Sequence, residues 1–150
     1  MFDLANFYQF CENNDVDIIP YLNAPSEGTT IRDEDYYAIF LDITKLRSIK
    51  VYNGVCLHEV GHVATGALHK VDSPYELAER SEYRANRWAA ETYLTESAFR
   101  EAFAEGYTDL WQLEEYFDLP GNDIQAALDY WTISRGIDFT KQEAGKCTSP

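Results

Sequence analysis

The sequence predicts a mostly helical α+β domain with one small β-sheet. Three observations support this fold class. Most of the chain carries apolar residues at helical spacing. One segment, Tyr36 to Ile43, is rich in aromatic and branched side chains, as strands are. Hydrophobic residues make up 45% of the 150 residues, which suits one folded core.

The helices differ in how clearly their ends are marked. Asn53-Gly54 is typical of a turn, so the second helix is predicted to become firm only after it. Ser73-Pro74-Tyr75-Glu76 predicts a helix start with a capping box. Thr95 as N-cap and Gly106 as stop bound the next helix. The predicted helices span residues 2–13, 45–68, 74–94, 95–106, 108–117 and 123–134.

The segments between the first two helices are shorter and less regular. The apolar run from Val16 to Leu22 is interrupted by Pro20 and predicts a strand or an extended connection. Residues 23–30 contain proline, serine and glycine and are predicted to form a loop. We expect a single domain over 1–136, with a helical C-terminal part at about 95–136, and a loose polar tail at 137–150.

Composition narrows the functional classes. The net charge of −14 disfavours direct binding of nucleic acid, because it repels phosphate. No apolar run is long enough to span a membrane, and the N-terminus lacks the features of a secretory signal. The cysteines Cys11, Cys56 and Cys147 form no CxxC pair or disulfide framework, which fits a reducing cytoplasm.

The predicted second helix contains a metal-binding pattern, His58-Glu59-Val60-Gly61-His62 (HExxH). Residues four apart lie on one face of a helix, so both imidazoles can meet one Zn²⁺. Glu59 is rotated toward the open side of that metal, where it can take a proton from zinc-bound water as general base. Only three histidines occur in the chain, and two of them fall in this pattern.

A catalytic zinc site needs a third protein ligand, and the helix over 74–94 offers carboxylates. Glu82 and Asn86 lie one turn apart, so Glu82 can bind metal while Asn86 hydrogen-bonds a ligand histidine. Glu79 is the competing ligand, and spacing alone does not choose between the two glutamates. His69 follows the expected end of the HExxH helix and is predicted to lie at the surface.

Two motifs together resemble the ImmA/IrrE family of metallopeptidases: Leu57 to His62, and the stretch Glu82-Tyr83-Arg84-Ala85-Asn86-Arg87-Trp88-Ala89-Ala90. The sequence departs from the family pattern at Arg84, where a second glutamate is usual, and at Trp88, where phenylalanine is usual. The site is also similar to that of thermolysin-like zincins, in which Glu82 matches the third ligand. Asn86 then stands where those proteins have an acid. The likeness covers about residues 31–135.

The resemblance implies a minimal zincin-like fold and a regulatory protease, often of a mobile element or phage, that cleaves a protein such as a helix-turn-helix repressor. Since no DNA-binding domain is evident, the repressor would be a separate chain. The alternatives are a non-cleaving metal-binding sensor or protein-binding module on the same fold, and a helical adaptor without catalytic metal. The helical pair 108–134 is predicted to pack or to recruit substrate. An oxyanion donor could come from four tyrosines, Tyr36, Tyr37, Tyr107 and Tyr130.

Overall fold

The sheet is built around the segment that the sequence most clearly predicts as a strand. The structure, a computed structural model, describes residues 1–68 and 74–141. In it β3 (Tyr36–Leu41) is the central strand, with β1 (Val16–Pro20) parallel on one side and β2 (Gly28–Asp33) antiparallel on the other. Strand predictions for the β1 and β3 segments are therefore confirmed. Ile39 and Leu41 point into the core and are almost fully buried.

The loop predicted over residues 23–30 is wrong at its C-terminal end, where β2 begins at Gly28. The ladder runs from Gly28 opposite Leu41 to Asp33 opposite Tyr36. The local sequence Gly-Thr-Thr-Ile-Arg-Asp does not predict a strand, because it contains only one aliphatic side chain. Hydrogen bonds from β3 make this segment a strand, and it forms one edge of the sheet.

Helices fill most of the remaining chain, which confirms the mostly helical α+β class. Asp3 and Thr95 cap two of them with their side chains, and Thr95 was the predicted N-cap. Ser73 lies outside the described residues; the helix that follows it begins at Tyr75, one residue after Pro74. The helices are α1 (Leu4–Asn13), α2 (Ile49–Thr65), α3 (Tyr75–Thr92), α4 (Glu96–Ala104), α5 (Leu110–Phe117) and α6 (Gly121–Asp129), which continues into a π-helical turn (Tyr130–Ser134).

The predicted late start of α2 is also wrong, because Asn53 and Gly54 lie inside the helix and are buried. Ser48 caps the helix by accepting from the backbone N–H of Val51 at 3.2 Å. The Asn53 amide donates to the backbone oxygen and to a carboxylate oxygen of Asp118, both at 3.1 Å. The side chain of Asn53, a residue that locally predicts a turn, therefore makes a tertiary contact with the end of α5.

One hydrophobic core joins the N-terminal and C-terminal parts of the described chain. It includes Phe7 of α1, Val60 of α2, Phe99 of α4 and Ile124 of α6. Phe139 also packs against it, 5.2 Å from the ring of Phe103, although the tail was predicted to begin at 137. The domain boundary at 136 stays a prediction. None of the helices in the described ranges is long and apolar enough to cross a membrane.

Candidate metal centre

Helix α2 carries the histidine pair on the face that meets α3 and the cavity beside it. His62 is buried, with 7% of its side chain exposed, and His58 is partly open, with 31% exposed. Gly66 ends this helix in the left-handed conformation, at φ 62°. The chain then turns back so that Ala67 lies against His62. The predicted placement of both histidines on one helix face is confirmed.

Close packing of α2 on α3 brings the third candidate ligand to the histidines. A Cβ at Gly61 would lie 2.9 Å from the backbone oxygen of Ala85, so the two helices approach each other where Gly61 has no side chain. Glu82 lies one turn before Ala85 on α3. This contact explains why α3 presents Glu82, and not Glu79, to the histidines. Glu79 is exposed and lies outside the group of candidate ligands.

Ligand atoms of His58, His62 and Glu82 all lie within 4.8 Å of one another. His58 Nε2 is 3.0 Å from His62 Nε2 and 3.1 Å from Glu82 Oε2, and His62 Nε2 is 3.4 Å from Glu82 Oε1. Ligands about 2.1 Å from a tetrahedral Zn²⁺ are separated by roughly 3.4 Å. The three groups therefore fit a tetrahedral metal ion.

The three candidate ligands interact electrostatically, and this interaction shifts the pKa values of His58 and Glu82. The pKa of Glu82 is well below its ordinary value because His58 and His62 hydrogen-bond to it. Burial works to lower the pKa of His58, but the hydrogen bond to Glu82 and the charges of nearby carboxylates, including Glu59, outweigh it and raise that pKa on balance. Metal binding would displace a proton from the His58 imidazole, because a histidine that binds metal must be neutral.

A backbone carbonyl group orients His62 by accepting a hydrogen bond from its ring. His62 Nδ1 lies 2.7 Å from the carbonyl oxygen of Ala67, which also accepts a hydrogen bond from Ser81. A proton on Nδ1 leaves Nε2 with its lone pair directed at the metal position. Asn86 was predicted to do this for a ligand histidine. It borders a small cavity with His58, but within residues 1–68 and 74–141 no hydrogen bond joins it to either histidine. Its role stays a prediction.

Glu59 lies between the histidines in sequence and is buried, with 5% of the residue exposed. The Thr30 hydroxyl on β2 donates to Glu59 Oε2 at 2.6 Å. Sequence reasoning missed Thr30, because it lay in the predicted loop. Glu59 and His58 line an open cavity of about 360 Å³ with further residues of α2 and with residues from two other parts of the chain: Ser26, Glu27, Gly28, Val51, Gly54, Val55, Pro120, Asn122 and Asp123.

The start of α6 forms one wall of this cavity. A Cβ at Gly54 would lie 2.4 Å from Asp123 Oδ2 and 2.7 Å from the Pro120 ring, so α6 approaches α2 through the space that the glycine leaves. Burial raises the pKa of Asp123, and the charge of His58 opposes that rise. The helical pair, whose role was open, thus contributes a carboxyl group beside His58.

The four tyrosines considered as oxyanion donors lie elsewhere in the described structure. Tyr36, at the start of β3, hydrogen-bonds Asp17 of β1, and Tyr130 hydrogen-bonds Glu91. Tyr107 packs against the ring of Tyr116, and the hydroxyl of Tyr37 lies near Gly66 at the end of α2. None of the four lines the described cavity beside Glu59. His69 lies outside the described residues.

Two histidines one turn apart, a glutamate from the next helix and a buried glutamate facing a cleft define a candidate metal centre of the zincin class. The family model of the IrrE N-terminal-like domain (Peptidase_M78) matches residues 24–127, which include every residue of this centre. The chain therefore belongs to this family, as its resemblance to ImmA/IrrE proteins predicted, and the family supports a metallopeptidase-type role. Comparisons with curated proteins and with solved structures gave no match.

The contact between α2 and α3 predicts the effect of one added methyl group. Gly61→Ala should lower the free energy of unfolding by about 1–3 kcal/mol through overpacking, partly offset by roughly 1 kcal/mol of helix propensity. It should also weaken metal binding, since α3 must move and Glu82 moves with it. Thermal unfolding and metal titration measure both effects.

Because the clash is with a backbone oxygen, adding Ala85→Gly should not restore metal affinity to Gly61→Ala. Unchanged metal affinity in the single variant would contradict this account of the helix contact.

Proposed function

We propose that the protein is a zinc-dependent metallo-endopeptidase. The convergence of His58, His62 and Glu82 beside a cleft that Glu59 faces carries this proposal. Two imidazoles and one carboxylate at tetrahedral spacing, with room for a further ligand on the cleft side, match the donor set of catalytic zinc. Family membership supports the peptidase chemistry.

The metal and Glu59 have separate roles in the proposed peptide hydrolysis. Zn²⁺, when bound, supplies Lewis-acid polarisation of the scissile carbonyl and lowers the pKa of water. Glu59 accepts a proton at its carboxylate from the attacking water and then returns it to the nitrogen of the leaving amine. Because Glu59 is buried, its carboxylate is largely shielded from bulk water.

The substrate we propose is a protein, such as a helix-turn-helix repressor of a mobile element or phage. We propose a regulatory role over a digestive one because the two motifs resemble those of ImmA/IrrE proteins. The net charge of −14 supports contact with a protein in place of DNA. The start of α6 borders the cleft, which is consistent with a recruiting role for the helical pair.

We also propose a cytoplasmic location for this activity. Cys11 and Cys56 are free and buried. Burial raises the pKa of the Cys11 thiol to about 11, and it raises that of Cys56 further. Thiols with such pKa values stay protonated and unreactive. Free thiols of this kind are consistent with a reducing compartment.

The second candidate is a sensor or protein-binding module that holds metal and does not cleave. The family includes non-cleaving members, which is the observation in its favour. The buried, hydrogen-bonded Glu59 favours the enzyme, because a purely structural metal site has no need of a base facing an open cleft.

A peptide-library digestion separates the two candidates. The purified protein, loaded with one zinc per chain, is incubated with peptides and with candidate repressors, and new termini are identified by mass spectrometry. We expect specific new termini that disappear with a zinc chelator and return when zinc is restored. One tightly bound zinc with partner binding but no new termini would favour the sensor and contradict the peptidase.

A further inference from the structure

We propose that Thr30, on the edge strand β2, is a positioning residue that holds the carboxylate of Glu59 in the orientation needed for proton transfer. This inference deepens the proposed peptidase function and rests on it. The general base would then depend on two elements, α2 for its backbone and β2 for its carboxylate.

The first observation is a direct hydrogen bond. Thr30 Oγ1 lies 2.6 Å from Glu59 Oε2 and 3.3 Å from the backbone oxygen of Glu59. A hydroxyl has one proton, so at these distances it donates chiefly to the carboxylate. Donation to an ionised carboxylate is a charge-assisted bond, stronger than a bond between neutral groups.

The second observation concerns the other carboxylate oxygen. A Cβ at Gly28 would lie 3.0 Å from Glu59 Oε1 and 2.6 Å from Val55 Cγ1. Gly28 and Thr30 are two residues apart, so both present the same face of β2 to Glu59. Thr30 therefore holds Oε2, while Gly28 leaves space for Oε1 at the cavity that both Glu59 and Gly28 line.

These contacts restrict rotation of the Glu59 side chain. Three rotatable bonds separate its carboxylate from the helix backbone, and the last of them is broad. Contacts that restrict those rotations keep Oε1 within reach of the proton it must take, and misplacement by about 1 Å can cost roughly 100-fold in rate. Oε1, the oxygen that Thr30 does not hold, is then the proton acceptor.

The test compares variants at Thr30 with a matched neighbour on the zinc-loaded full chain. Thr30→Val removes the hydroxyl and keeps the shape, whereas Thr30→Ser keeps the hydroxyl. Thr29→Val is the control, because Thr29 is exposed and its hydroxyl bonds Ser26 and the backbone of Gly28. Peptide kinetics, zinc titration and thermal unfolding are measured on each.

We expect Thr30→Val to lower kcat by about 10- to 100-fold, the effect of losing a hydrogen bond to a charged group, with KM and zinc affinity changed less than about twofold. Thr30→Ser should keep kcat within about threefold of the wild type, and so should Thr29→Val. The proposal is overturned if Thr30→Val keeps wild-type kcat. It is also overturned if Thr30→Ser loses as much as Thr30→Val, or if zinc affinity falls in step with kcat, since β2 would then act only as structural support.

A crystal structure of each zinc-loaded variant separates this inference from the proposed function. If the wild type cleaves no peptide, the peptidase proposal fails. The positioning role is then judged by whether Glu59 keeps one conformation in the wild type and in Thr30→Ser, and changes it in Thr30→Val. The same Glu59 conformation in all three would overturn the positioning role.

Discussion

Glu59→Gln is expected to lower kcat by about 10²- to 10⁴-fold, the usual contribution of a general base, while the chain still binds one zinc. Glutamine has the shape of glutamate and can still accept the Thr30 hydrogen bond, but its amide cannot take a proton at the pH of the reaction. Glu59 is not among the three candidate ligands, so metal binding should persist.

Zinc content per chain, measured together with kcat on a cleaved peptide, tests this expectation. Glu12→Gln, an exposed change on α1, is the control and should match the wild type in both measurements. Glu59→Ala should also retain zinc and lose cleavage. Wild-type proteolysis by either Glu59 variant would exclude the proposed role of this carboxylate as the base.

The second large effect is expected at the third ligand. Glu82→Ala should weaken zinc binding by more than about 100-fold, because even a group one shell further from a metal costs roughly 10- to 100-fold when it is removed. Glu79→Ala, on the same helix, should bind zinc within about twofold of the wild type, since Glu79 lies outside the ligand group. Competition with a chelator of known affinity measures both constants.

The stability of the metal-free protein is an independent test of the contact between His58 and Glu82. The pKa of His58 is raised in the folded protein and that of Glu82 is lowered, so their pairing stabilises the fold between the unfolded pKa of the glutamate and the folded pKa of the histidine. Glu82→Ala should therefore destabilise the metal-free protein more at about pH 5.5 than at about pH 8. Equal destabilisation at both pH values would contradict this pairing.

Sequence alone could predict the positions of the two histidines and of Glu59, because all three depend on one helix. A spacing of four residues places His58 and His62 on one face wherever a helix forms. The third ligand depends on how a second helix is rotated and where it crosses the first. Periodicity left Glu79 and Glu82 open, and the family resemblance favoured Glu82 before the contact between Gly61 and Ala85 supplied a physical reason.

Local signals were misleading where distant residues form the contact. The pair Asn53-Gly54 is typical of a turn, but both residues lie within a continuous helix. Asn53 hydrogen-bonds the end of α5, and Gly54 leaves the space into which the start of α6 packs. The strand β2 has little apolar alternation and exists through its ladder with β3. Thr30 could not be predicted as a neighbour of Glu59 without that strand.

The sequence by itself thus determined the helical α+β class, the HExxH helix and the family, since each follows from short-range spacing and residue type. Only the tertiary structure decided which atoms surround the candidate metal ligands and Glu59: Ala67 behind His62, Asp123 beside the cleft and Thr30 on Glu59. Those neighbours come from separate elements, and their approach depends on close packing at glycines, which no local pattern records.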